Sequence, residues 1–274
     1  MSLDPCPKYI DRINKSILIR GMDIEMASET IYIGHSIFAH ISLLWSENAN
    51  GGKRGMPTQP KITLLVIRHG ETVWNSEQRF QGHGDSPLTE TGRNQIAALG
   101  RRMEEIKFDT LISSDLGRTQ ETATIISDFT GHAVALDSRL RERNYGVFEG
   151  LTVPEIRASH SDVFDQFNTD DPDYIVPGGE SHRQHYQRNL ASLEELLVGR
   201  FGTRVAVVAH GGVLDSIFRY VAGLPLEQPR CFITTNGSLT IVSHGIFYGT
   251  SRAVIETWCD TSHLKGLDLN FGLG

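Results

Sequence analysis

The sequence predicts an α/β fold, a three-layer sandwich in which a mostly parallel sheet carries helices on both faces. Three observations point to it. From residue 61 onward, strand-like and helix-like segments alternate, the pattern of a sheet built through helical crossovers. The strongest strand candidates, "ITLLVI" and "VAVVA", are unbroken apolar runs, as expected of strands covered on both faces. Both runs end in a His-Gly pair, His69-Gly70 and His210-Gly211. Ligands bind at the carboxyl ends of strands in such sheets, so these histidines are the first site candidates.

The elements follow in order. Residues 1–60 end in "NANGGKRGMPTQP", which reads as a linker; they are taken as an extension of unassigned role, with the domain proper at 61–274. "KITLLVIRH" (61–69) is rich in β-branched residues and reads as a buried strand. In the helix at 86–106, Thr89 is the N-cap candidate, and Ile96, Leu99, Met103 and Ile106 recur at helical spacing. A short strand at 108–114 precedes a helix at 116–131 that a glycine stops. Another short strand occupies 132–137, and a loop-rich middle leads to a helix at 183–202. The second apolar strand (204–212), its helix (213–224) and strands at 238–243 and 253–258 close the pattern.

Bulk properties narrow the function. The 274 residues carry a net charge of -7, with 39% hydrophobic and 22% charged residues. That balance is ordinary for a globular protein and argues against a nucleic-acid-coating or membrane-surface role. Three cysteines without a CxxC spacing fit a reducing compartment rather than a disulfide framework. The apolar-leaning run at 31–45 is too short for a membrane span, holds two histidines and follows an acidic stretch, a poor secretory signal as well. A cytoplasmic protein is expected. A homodimer is compatible with the sequence, which carries no signal for oligomeric state.

Several polar residues stand out, each with a bland alternative. A lone strand-end histidine is usually structural, but His69 follows Arg68 directly. Arg118 falls in the first turn of a helix, where the helix dipole disfavours a cation, so an anion nearby is expected; the alternative is an exposed arginine. "LRERNYGVFEG" (140–150) offers Glu142 as a general acid and Glu149 as its competitor. "PGGES" (177–181) brings Glu180 and Ser181 to a helix start, where capping explains them at least as well as catalysis.

Taken together, "RHGETVWN" (68–75), "RFQGHGDSPLTETG" (79–92), "SSDLGRTQETA" (113–123), "LRERNYGVFEG", "PGGES" and "VAHGG" (208–212) resemble the histidine phosphatase superfamily, which includes cofactor-dependent phosphoglycerate mutase. The resemblance covers residues 62–263 and implies a phosphoglycerate mutase-like fold. It implies that His69 is the nucleophile, becoming a phosphohistidine, and that Arg68, Arg118 and His210 form the phosphate pocket. Glu142 matches the proton donor's position. Asn75, Thr72, Gln81, Gly82, Tyr145 and Gly211 fall where phosphate or substrate contacts are implied. Met56 stands where members of this family start, so the residues before it are expected to be either an upstream start assignment or a dispensable extension.

The chemistry explains the residue types. A histidine nucleophile must be neutral to offer a lone pair, and neighbouring arginines favour that state. The same guanidiniums bind two phosphoryl oxygens at once and take up charge in the transition state. An acid at Glu142 would protonate the leaving alkoxide and then activate water. No carboxylate cluster in the sequence reads as a metal site, so no metal or other cofactor is expected.

Within the family, mutases return the phosphoryl group to substrate and phosphatases give it to water. A mutase holds a bisphosphorylated intermediate and needs extra cations and cover. Here the interval 151–178 is short, with Arg157 its one arginine and several aspartates. "AHGGVL" also departs from the "HGNSLR"-like stretch of the mutases. A phosphomonoester hydrolase acting on a small phosphorylated metabolite is therefore expected, with mutase activity as the alternative. A catalytically silent binder would have lost the nucleophile or acid, and both are present. If the acidic stretch "DDPDY" (170–174) caps the pocket, it disfavours bisphosphates.

Overall fold

The computed structural model describes residues 60–267. In chain order it contains β1 (Ile62–Arg68), α1 (Val73–Ser76), α2 (Glu90–Met103), β2 (Thr110–Ser113), α3 (Gly117–Thr130) and β3 (Val134–Leu136). There follow α4 (Val153–Ser159), α5 (Ser161–Phe167), α6 (His182–Leu197), β4 (Arg204–Ala209), α7 (Gly211–Ala222), β5 (Leu239–Phe247) and β6 (Thr250–Asp260). The reading of residues 1–60 as an extension lies, but for residue 60, outside the described residues.

The six strands form one sheet in the order β3-β2-β4-β1-β5-β6. It is parallel from β3 to β1 and antiparallel from β1 through β5 to β6. All seven residues of β1 are buried, because successive side chains enter opposite layers. Leu64 and Val66 pack with Leu193 and Leu197 of α6 and Val213 and Ile217 of α7. Leu65 and Ile67 pack with Ile96, Leu99 and Met103 of α2 and Ile126 of α3. Each such side chain contributes roughly 1.5–3 kcal/mol on burial. This two-sided core holds β1 rigidly and fixes where its last residues point.

Local signals set most element ends. The Thr89 hydroxyl accepts from the Gly92 N–H at 2.9 Å and opens α2. Gly131 (φ 73°) ends α3 in the left-handed conformation. Helix α6 stops at Leu197, short of the predicted residue 202, because Gly199 already has φ 77°. Strands β5 and β6 are longer than expected. Their two-residue turn, Tyr248-Gly249, has positive φ at both positions (50° and 78°), the geometry that suits a twisted hairpin, without an Asn-Gly signal to announce it.

The middle of the chain corrects the sequence reading. It is not merely loop: α4 and α5 have seven residues each, too few to show a helical period. Ile156 and Phe164 from these helices bury against Phe148, Val176, Phe80 and Phe167, a separate aromatic cluster. Among the described residues no helix is long and apolar enough to cross a membrane.

Candidate active site

Three neighbouring strands end together. Arg68 of β1 is registered with Ala209 of β4, and Val208 of β4 with Ser113 of β2, so His69, His210 and Ser114 emerge at one edge. His69 is 3% exposed and His210 fully buried. Their rings meet edge to face with centroids 5.3 Å apart. His69 Nδ1 lies 2.8 Å from the Gly70 carbonyl oxygen, which accepts its proton and leaves Nε2 with the lone pair. His210 Nε2 lies 2.9 Å from Ser114 Oγ.

Two arginines surround this pair. Arg68 donates through Nη1 to the carbonyl and hydroxyl of Thr234. Arg118, in the first turn of α3, is 1% exposed. It donates to the Gly82 carbonyl at 2.7 Å, the Gly84 carbonyl at 2.9 Å and Asp85 Oδ1 at 3.3 Å. These oxygens offset the unfavourable helix end. The anion anticipated beside Arg118 is therefore met in part by Asp85. Yet the Nε atoms of both arginines and Nδ1 of His210 are buried without a hydrogen-bond partner, an arrangement that costs stability unless something else binds there.

The electrostatics follow from burial. Burial, then Arg118 and Arg68, pushes His69 well below the ordinary imidazole range. His210 is pushed down likewise, by burial first and then by Arg118 and His69. Burial lowers Arg68 to about 10, with Glu142 opposing the shift. At neutral pH the site thus contains two cations and two neutral imidazoles.

Glu142 completes the cluster. Its Oε1 accepts from the Arg143 N–H at 2.8 Å and its Oε2 from the Gly212 N–H at 3.0 Å. A cavity of about 250 Å³ is lined by Arg68, His69, Asn75, Gln81, Arg118 and Glu142, with Gly82 and Tyr145 also on its wall. Most sequence-predicted site residues therefore meet at one place.

Three do not line the cavity. His210 lies wholly buried against the His69 ring, its Nε2 on Ser114 Oγ. Thr72 is wholly buried as the N-cap of α1, its hydroxyl accepting from the Asn75 N–H and donating to Asn75 Oδ1. It holds Asn75 rather than facing a ligand. Gly211 opens α7 as a buried helix start after His210. The two carboxylates left open by the sequence also separate. Glu149 accepts from the N–H groups of His83, Gly84 and Tyr145 at 2.7–3.0 Å and organises the loop that holds Arg118. Ser181 caps α6 by accepting from the Gln184 N–H at 3.1 Å, and Glu180 pairs with Arg188.

Sequence reasoning missed Phe80, Phe167, Gln78 and Arg79, which also line the cavity. It also missed Asn236, whose side-chain amide donates to the His69 carbonyl at 3.0 Å and to Asn75 Oδ1 at 3.2 Å. The only signal for Asn236 is its Asn-Gly turn, with Gly237 at φ 69°. A second cavity, about 270 Å³, shares the walls Tyr145 and Phe167. The acidic stretch contributes Asp170, Asp171 and Tyr174 to this second cavity rather than to the first.

The chain is similar in sequence and fold to known proteins. The model of the histidine phosphatase superfamily (branch 1) matches residues 64–261. A protein of Erwinia tasmaniensis named "Probable phosphoglycerate mutase GpmB" is 35% identical over 210 residues, which cover 76% of this chain and 98% of the relative. Among solved structures, YhfR of Bacillus stearothermophilus is 35% identical with a TM-score of 0.64, over 74% of this chain and all of that one. A mycobacterial glucosyl-3-phosphoglycerate phosphatase is 29% identical with a TM-score of 0.62, over 73% and 98% of the two chains. On the extent of the family match and the near-complete coverage of these relatives, the chain belongs to the histidine phosphatase superfamily, branch 1.

Proposed function

We propose that this protein hydrolyses monoesters of small phosphorylated metabolites without a metal ion, through a phosphohistidine on His69 with Glu142 as proton donor. One observation carries the reading. A neutral His69, its Nδ1 proton engaged by Gly70, shares a cavity wall with Glu142 and with two arginines whose Nε atoms are buried and unpartnered.

In the first step the Nε2 lone pair of His69 attacks phosphorus and the ester P–O bond breaks. Glu142 gives its proton to the leaving alkoxide. Arg68 and Arg118 stabilise the charge on the equatorial oxygens. In the second step water attacks phosphorus and Glu142 takes the proton it releases. The N–P bond breaks and its electrons return to Nε2. Splitting the displacement in two lowers each barrier.

Mutase activity is the second reading, favoured by the names of the curated relatives. The structural neighbours that include glucosyl-3-phosphoglycerate phosphatase favour hydrolysis.

The test is a phosphomonoester panel including 3-phosphoglycerate, in EDTA, for wild type and His69→Ala. Isomerisation of 3-phosphoglycerate, with and without 2,3-bisphosphoglycerate, is followed alongside. Phosphate release that survives EDTA and disappears in His69→Ala supports the hydrolase. Isomerisation without release makes the protein a mutase. Inactivity in both assays removes both readings.

A further inference from the structure

Helix α6 changes character along its buried face. Toward its carboxyl end that face buries Leu193, Leu196 and Leu197; toward its amino end it buries His185, Asn189 and Ser192. Polar side chains in a dry layer are costly unless partnered, and departures from core patterning concentrate at functional sites. Here the departure leads to Glu142.

His185 is 1% exposed and its Nε2 lies 3.7 Å from Glu142 Oε1. The Asn189 side-chain amide donates to the same Nε2 at 2.9 Å and to Ser216 Oγ at 3.0 Å. Ser216 Oγ donates in turn to the Gly212 carbonyl at 3.1 Å, and the Gly212 N–H donates to Glu142 Oε2 at 3.0 Å. The chain of contacts runs from one carboxyl oxygen, through α6 and α7, back to the other. Gly212 is part of the fit. A Cβ there would come within 2.1 Å of Glu142 Oε1 and 2.9 Å of His185 Cε1.

The ring is neutral, burial and then Arg188 lowering its pKa to about 3. A cation at this position would pair with the carboxylate. With its Nε2 taken up by the Asn189 amide, the neutral ring meets Glu142 as a packing contact and bounds the space open to Oε1.

We propose that His185 is a positioning residue for proton transfer by Glu142, holding the carboxyl against the leaving oxygen of the substrate. The proposal rests on Glu142 being the acid. A misplacement of about 1 Å at a reacting group can cost on the order of 10²-fold, so the effect is measurable.

Leaving groups that need no proton separate this role from a purely structural one. The comparison is kcat/KM for the best alkyl phosphate of the panel against 2,4-dinitrophenyl phosphate, in wild type, His185→Leu, Asn189→Ala and Glu142→Gln. In His185→Leu, the alkyl ester should lose roughly 10- to 100-fold and the dinitrophenyl ester under about threefold. Asn189→Ala should show the same selectivity more weakly, and it decides the matter if His185→Leu does not fold. Equal losses on both esters, or no loss on the alkyl ester, would overturn the role. Glu142→Gln keeps the two failures apart. If it too loses both esters equally, the acid assignment falls and the proposal with it; if it alone is selective, only the role of His185 falls.

Discussion

His69 and His210 stand edge to face, ring centroids 5.3 Å apart, between two buried arginines. Both imidazoles are held neutral by burial first and the arginines next. With His185, lowered to about 3 by burial and then Arg188, this part of the fold contains three buried neutral rings.

That predicts how stability depends on pH. In the unfolded chain these rings take up protons near pH 6.5, while in the folded protein they stay neutral well below it. Unfolding under about pH 6.5 therefore binds protons, and stability falls as pH drops from there toward the folded values. Denaturant unfolding between pH 8 and 4 should show a progressive loss below about pH 6.5, accompanied by net proton uptake on unfolding. A flat profile would mean that the rings are charged in the folded state.

The nucleophile and its cations should separate in kinetics. His69→Ala should lower kcat by about 10⁴-fold or more and abolish the acid-labile phosphoenzyme in rapid-quench experiments. Arg118→Gln should still form it, about 10²–10³-fold more slowly. A phosphoenzyme persisting in His69→Ala would move the nucleophile elsewhere.

Gly212→Ala tests the packing behind Glu142. Its Cβ would fall 2.1 Å from Glu142 Oε1, so the carboxyl must shift. Activity on alkyl phosphates should fall on the order of 10²-fold, while the melting temperature changes little, alanine being the better helix former. Unaltered kinetics would show that the carboxyl tolerates displacement.

Glu149→Gln tests the loop that holds Arg118. The carboxylate accepts three backbone N–H groups, and a glutamine amide cannot accept all of them. Hydrogen bonds to a charged group contribute about 1.5–3 kcal/mol each. A lower melting temperature should accompany weaker inhibition by inorganic phosphate. Loss of stability with inhibition unchanged would confine Glu149 to the fold.

Much of the fold was legible because local signals and core pattern agree. The apolar run of β1, the Thr89 cap and the Gly131 stop each state their role within a few residues. Helices α4 and α5 were not legible. Seven residues show no period, and what stabilises them is an aromatic cluster drawn from residues 80 to 176. The Tyr248-Gly249 turn was hidden too, its conformation set by the two strands it joins.

The site divides the same way. By itself the sequence named His69, Arg68, Arg118, His210 and Glu142 as candidates, with Glu149 as the competitor of Glu142, because strand-end position and motif order are properties of the chain. Only the tertiary structure put Glu142, and not Glu149, on the cavity wall, showed Thr72 to be a cap, and set His185 and Asn236 beside the site. The two glutamates are the same residue type, seven positions apart on one loop. Their difference lies in which backbone N–H groups each oxygen meets, and those come from distant segments that only the folded packing brings together.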